Sequence, residues 1–132
     1  MNIVIPMAGK SSRFFDAGFT VPKFLLPLSP LEGSKTMIEG AVDSLHMEGN
    51  LIFIVQRDHC KYNIDTFLKE KYPTSTVLYL ERYTDGCVES VYEAAAGYIN
   101  NDEPLVISNC DQYLDWDSSE FLRVCSQDGV DG

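Results

Sequence analysis

Ile3-Val4-Ile5-Pro6-Met7-Ala8-Gly9-Lys10-Ser11-Ser12-Arg13-Phe14, followed by Val21-Pro22-Lys23-Phe24-Leu25, is the stretch that decides the fold class of this chain. A short apolar run stops abruptly in a loop of small residues. That loop carries Lys10 and Arg13, and a second lysine, Lys23, follows a proline. Such a pattern suits a strand whose carboxyl end opens into a phosphate site. The charges agree. Between Met1 and Leu31 three bases, Lys10, Arg13 and Lys23, stand against the single acid Asp16, a sum of +2, while the whole chain carries −10. A basic island in an acidic chain points to an anionic ligand.

Outward from this strand, read as Asn2 to Pro6, β and α patterns alternate. Met7 to about Pro30 reads as a long loop with Gly9, Gly18, Pro22, Pro27 and Pro30, and a loop of that length in a compact domain is usually functional or disordered. Thr36 to Met47 carries a helical stripe of Met37, Ile38, Ala41, Val42 and Leu45. Leu51 to Val55 is a continuous apolar run, as expected of a buried parallel strand. Asp58 is expected to cap a helix that reaches Tyr72 and turns Ile64, Phe67 and Leu68 inward, with Pro73 as its stop. Thr76 to Leu80 is a third strand. Gly86 opens a helix carrying Val88, Val91, Tyr92, Ala95 and Ile99, and Leu105 to Ser108 is a fourth strand running into Asn109-Cys110-Asp111. Asp117 with Glu120 three residues later resembles a capping box for a last helix through Cys125.

This order predicts one α/β domain over residues 1–132, a Rossmann-like three-layer sandwich with a mostly parallel sheet and right-handed crossovers. In such sheets ligands sit beyond the carboxyl ends of the strands, at the point where strand order switches. If the first and fourth strands are neighbours, one pole of the sheet holds both the Gly9 loop and Asp111. Gly9, Ser11 and Ser12 allow backbone N–H groups to turn toward phosphate oxygens. Arg13 can bridge phosphates with its planar fork of donors, and Lys23 supplies a point charge. Asp111 offers hard oxygen ligands for Mg²⁺, which normally shares phosphate ligands.

Composition excludes several classes. A pI near 4.4 argues against nucleic acid and against an anionic membrane surface as partners. No apolar run approaches the ~20 residues of a transmembrane helix, and no signal peptide is evident. Cys60, Cys87, Cys110 and Cys125 include no CxxC pair, and His46 and His59 are the only histidines, so a zinc site is not expected and free thiols in a reducing cytoplasm are. Cys110 reads as core packing, His59 as a surface residue near a helix N-terminus, and Tyr79, Tyr83 and Tyr92 as core or rim.

The run Pro6 to Phe14, then Pro22-Lys23-Phe24-Leu25-Leu26-Pro27, resembles the N-terminal signature of the sugar-phosphate nucleotidyltransferases. Asp85-Gly86-Cys87-Val88-Glu89-Ser90-Val91 resembles the family's Gly-led helix start beside the nucleotide base, and Asn109-Cys110-Asp111 its strand-end metal-binding Asp. The resemblance spans Ile3 to Asp111. It implies attack of a sugar 1-phosphate, or a similar phosphorylated acceptor, on the α-phosphorus of a nucleoside triphosphate, with release of pyrophosphate and formation of an NDP-linked product. By resemblance Arg13 activates the triphosphate and Lys23 orients the attacking or α-phosphate. Asp111 binds Mg²⁺, and Ala8, Gly9, Lys10, Ser11, Ser12, Glu81 and Gly86 contact the nucleotide. A homo-oligomer is compatible with this reading.

The chain departs from the family pattern at three points. Ser11 takes a position where glycine is usual, which predicts a stiffer loop. Glu81 stands where many relatives carry a base-reading glutamine. Family catalytic domains are longer, and Gly129-Val130-Asp131-Gly132 reads as the lead-in to another strand, so the expectation is a truncated, incomplete domain. Other readings share parts of the pattern. Gly9-Lys10-Ser11 mimics the end of a P-loop, but Val4 stands where its first glycine belongs, and Pro6 has no N–H for phosphate. Asp115-Trp116-Asp117 fits the Asp-x-Asp of nucleotide-sugar-dependent glycosyltransferases but leaves Arg13 and Lys23 without a role. A non-catalytic nucleotide-binding or regulatory module is the third alternative.

Overall fold

A computed structural model describes residues 1–130. Asp131 and Gly132, the end of the expected lead-in to a further strand, lie outside the described residues. The strands are β1 (Asn2–Met7), β2 (Asn50–Gln56), β3 (Thr76–Leu80) and β4 (Leu105–Ile107), and they form one sheet in the order β3-β2-β1-β4. Every pairing is parallel, with Asn2 opposite both Asn50 and Leu105. The helices are α1 (Ser12–Asp16), α2 (Met37–Leu45), α3 (Ile64–Lys71), α4 (Cys87–Ile99) and α5 (Ser118–Cys125), with 3₁₀ turns at Lys23–Leu25 and Arg57–Tyr62.

The three-layer architecture follows from strand alternation. Successive side chains of a strand point to opposite faces, and β1 is apolar on both. Ile3, Ile5 and Met7 pack with Phe53 and Val55 against Phe24, Ile38 and Leu45 of one layer and Ile64 and Leu68 of α3. Val4 packs with Ile52, Ile54, Leu78 and Leu80 against Val91 and Ala95 of α4 on the other face. Helices on both faces leave the strand ends as the place where loops and ligands meet.

α2 begins at a capping box: Thr36 Oγ1 accepts from the Glu39 N–H, and Glu39 Oε2 accepts from the Thr36 N–H at 2.8 Å. Glu39 also meets Lys71 Nζ at 2.7 Å, which ties the start of α2 to the end of α3.

Four local expectations need correction. Asp58 caps no helix. The chain after β2 forms a 3₁₀ turn over Arg57–Tyr62, and the helix proper starts at Ile64 after Asn63, whose φ is 59°. Asparagine tolerates the left-handed region better than most residues, so the break falls there. His59 is the second correction. The 3₁₀ turn rotates it inward, and only 2% of its surface is exposed, beside the rings of Phe24, Tyr62 and Tyr83. On α5, Asp117 accepts from the Ser119 and Glu120 N–H groups as a cap should, but Glu120 turns to Arg123, so the box is only half formed. Tyr92 on α4 is exposed rather than core or rim.

Candidate functional site

The strand order places β1 and β4 side by side, and their carboxyl ends open onto a cleft of about 410 Å³. This is the switch point of the sheet, since β2 and β3 lie on one side of β1 and β4 on the other. The β1 end contributes Pro6, Met7, Ala8, Gly9 and Lys10. The β4 end contributes Asn109, Cys110 and Asp111, and Tyr83, Thr84, Gly86 and Ser90 form the third wall.

Lys23 closes the cleft from the 3₁₀ turn. Phe24 beside it is 1% exposed and anchors that turn in the core. The Lys23 ammonium donates to Asp111 Oδ2 at 2.7 Å, joining the β1 loop to the β4 loop across 88 residues of sequence. The Lys23 N–H reaches Ser11 Oγ at 3.4 Å. Ser11 has φ 55°, so the left-handed position that glycine would relieve is occupied by serine in this loop. Gly9 is not in that region.

A Cβ added at Gly9 or Gly86 would meet no protein atom within 4 Å. Packing of the chain itself therefore does not demand glycine at either place, and both face the cleft. Gly86 precedes α4 and has no side chain to cap its first-turn amides. A helix N-terminus of this kind favours an anion. The Gly86 carbonyl is held by Thr84 Oγ1 at 3.2 Å and by Ser90 Oγ at 3.1 Å, so this wall is braced.

Cys110 is core, as expected, and burial pushes its thiol up to about 11, which makes it no nucleophile. Tyr83 is half-buried, with its hydroxyl raised by burial, and Lys10 Nζ lies 5.2 Å from its ring centre.

Of the residues expected at the site, Ala8, Gly9, Lys10, Lys23, Gly86 and Asp111 line the cleft. Ser11, Ser12, Arg13 and Glu81 do not. Arg13 projects from α1, exposed, and Glu81 forms an ion pair with Arg57 at 2.9 Å. Tyr83, Thr84 and Asn109 line the cleft without having been singled out as ligand contacts. The run Asp85 to Val91 pointed near the first two, but only the register of the β3–α4 connection shows which side chains face inward.

Among the described residues no three of His, Cys, Asp or Glu gather into a metal cage. A Mg²⁺ ion held here would take one carboxylate, Asp111, and complete its shell from phosphate and water, a mode this ion commonly uses. Asp117, half of the alternative Asp-x-Asp motif, is committed to capping α5. No described helix is long and apolar enough to cross a membrane.

No protein-family model matches the chain, and no curated protein matches it. Solved structures do. The nucleoside-diphosphate-sugar pyrophosphorylase of Vibrio cholerae RC9 is 27% identical, with a TM-score of 0.64 over 90% of this chain and 52% of that one. A nucleotidyl transferase from Methanothermobacter thermautotrophicus is 18% identical, with a TM-score of 0.60 over 84% and 50%. HddC from Yersinia pseudotuberculosis is 19% identical, with a TM-score of 0.65 over 96% and 54%. The last two establish likeness of fold. The chain thus spans about half the length of the structures it matches and resembles a nucleoside-diphosphate-sugar pyrophosphorylase over that half.

Proposed function

We propose that this chain is the nucleotide-binding part of a Mg²⁺-dependent nucleotidyltransferase, which moves a nucleotidyl group from a nucleoside triphosphate to a sugar 1-phosphate or similar phosphorylated acceptor. The observation that carries the reading is the cleft between the β1 and β4 ends, where Lys23 and Asp111 meet at 2.7 Å. A cation and a carboxylate at that point can serve a substrate that brings both phosphate charge and a bound divalent ion.

The chemistry asks little of covalent catalysis. An acceptor phosphate oxygen attacks the α-phosphorus, the bond from that phosphorus to the bridging oxygen breaks, and pyrophosphate leaves. Positioning and charge neutralisation supply most of the rate. Lys23 balances charge on the attacking or α-phosphate. The β1 loop from Ala8 to Ser12 cradles the triphosphate, and Arg13, exposed at the root of α1, turns onto the outer phosphates. Gly86 lets the base or ribose approach the N-terminus of α4. Mg²⁺, held on Asp111, supplies further neutralisation when bound. The cytoplasm, where nucleotides and sugar phosphates occur, suits these substrates.

Calorimetric titration of the chain with ATP, CTP, GTP, UTP and dTTP, each with and without Mg²⁺, tests the reading. Preferential binding of one triphosphate, strengthened by Mg²⁺, is the expected result. Failure of all five to bind refutes the assignment for this chain.

A further inference from the structure

A second cavity, of about 310 Å³, lies between α1 and the 3₁₀ turn after β2, and Lys10 and Tyr83 form a wall common to it and the cleft. Its other lining residues are Phe15, His59, Lys61 and Tyr62. None of the six is a carboxylate. Phe15 and Tyr62 stack at 6.2 Å, so the aromatic side of the cavity is preassembled.

Three features of it are unusual for packing alone. Among the described residues, Lys10 and Lys61 take part in no ion pair, although the chain holds 20 carboxylates against 10 lysines and arginines. Each ammonium instead lies over a tyrosine ring of the cavity, Lys10 at 5.2 Å from Tyr83 and Lys61 at 5.3 Å from Tyr62. His59 is 98% buried, taking its 2% exposure, and its Nδ1 has no hydrogen-bond partner. An unpartnered buried polar atom costs stability unless a ligand or water satisfies it. Two cations without an ion-pair partner and an unpartnered imidazole on one aromatic-walled cavity fit an oxyanion, and Asp58, whose charge acts on His59 and Tyr83, is the carboxylate that such a ligand has to outweigh.

We infer that this cavity is a second phosphate site, in which Lys10 and Lys61 bracket a phosphate or diphosphate group and the His59 imidazole faces it. The site stands on its own residues. Only the identification of its occupant with the outer phosphates of a nucleotide in the adjoining cleft rests on the function proposed above. The other source is a free phosphate-bearing molecule.

Inorganic pyrophosphate, titrated without divalent metal into the intact chain, is the probe. Calorimetry gives the affinity, and the imidazole NMR signals of His59 and His46 give the place. Pyrophosphate is expected to move the His59 signals and not those of His46, and Lys61→Ala is expected to weaken it about tenfold, the typical effect of one hydrogen bond to a charged group. Lys61 is exposed, so the variant keeps its fold. The inference is overturned if pyrophosphate does not bind, if it leaves His59 unmoved, or if Lys61→Ala binds it as well as the native chain. Where the site holds, a His59 response to a triphosphate but not to its monophosphate assigns the nucleotide tail. A response to pyrophosphate with the cleft already filled by nucleotide assigns a separate ligand. If nucleotides bind and His59 stays silent to pyrophosphate, the second site fails and the proposed function stands. If pyrophosphate moves His59 and no nucleotide binds, the reverse holds.

Discussion

Replacing Asp111 by Asn should abolish the effect of Mg²⁺ on nucleotide binding. The Asp111 carboxylate sits 2.7 Å from the Lys23 ammonium, and its side chain is 35% exposed. A phosphate that reaches Lys23 therefore comes within about 5 Å of a negative charge. At that distance, in surroundings between bulk water and a protein surface, the repulsion is about 1 kcal/mol, or roughly fivefold in affinity. Asn removes that repulsion and frees Lys23, so triphosphate affinity in EDTA should rise about fivefold by this estimate. With Mg²⁺ the variant loses its carboxylate ligand and should gain nothing from the metal, whereas the native chain binds more tightly. The fold should survive, because an exposed ion pair contributes about 0–1 kcal/mol. For a chain of this size that moves the melting temperature by no more than about 4 °C. Calorimetry with and without Mg²⁺ on both proteins decides the matter. An Asp111→Asn variant whose affinity rises with Mg²⁺ as the native chain's does would refute the role given to this carboxylate.

Other outcomes follow from the same geometry. Arg13→Ala should lower triphosphate affinity about tenfold, the weight of a charge-assisted hydrogen bond, and leave the circular dichroism spectrum and melting temperature unchanged, because Arg13 is exposed; unchanged affinity would remove it from the site. Glu39→Ala breaks a capping box and an ion pair whose carboxylate is 9% exposed. It should cost about 2 kcal/mol, or roughly 7 °C in a thermal melt. Acid should destabilise the chain in two stages. Burial lowers His59 from its ordinary 6.5, so its contribution is present above 6.5 and is lost as pH falls through the depressed folded value. Although burial alone would raise Glu39, hydrogen bonds from Lys71 and Thr36 hold it below its ordinary 4.5, so its contribution goes at lower pH still. Melts from pH 8 to pH 3 should show both, and His59→Phe should remove the first. Phe53→Ala, at a side chain with 0% exposure, should cost about 3–5 kcal/mol and leave the chain largely unfolded at 37 °C.

Much of this was legible in the chain, because the governing effects are local and periodic. The apolar runs at Ile3, Leu51, Thr76 and Leu105 are strands, and their spacing by helical stripes admits little besides a parallel sheet. The glycine and proline punctuation located the β1 loop, and the charge imbalance in the first 31 residues marked it as the basic part of an acidic chain. Thr36 with Glu39 three residues later carries the capping-box pattern that the structure forms at the start of α2.

What tertiary structure alone decided depends on contacts distant in sequence. Nothing local requires β4 to lie beside β1, and the meeting of Lys23 with Asp111 exists only because it does. Asn63 can enter the left-handed region by itself, but the inward turn of His59 just before it rests on the packing of His59 against Phe24, Tyr62 and Tyr83. Arg13 carries the same charge whichever way it points, and the docking of α1 places it outside the cleft lining. Residue type and spacing set the strands, the helices and the place of the basic residues along the chain. The order of strands in the sheet set which of those charges face one another.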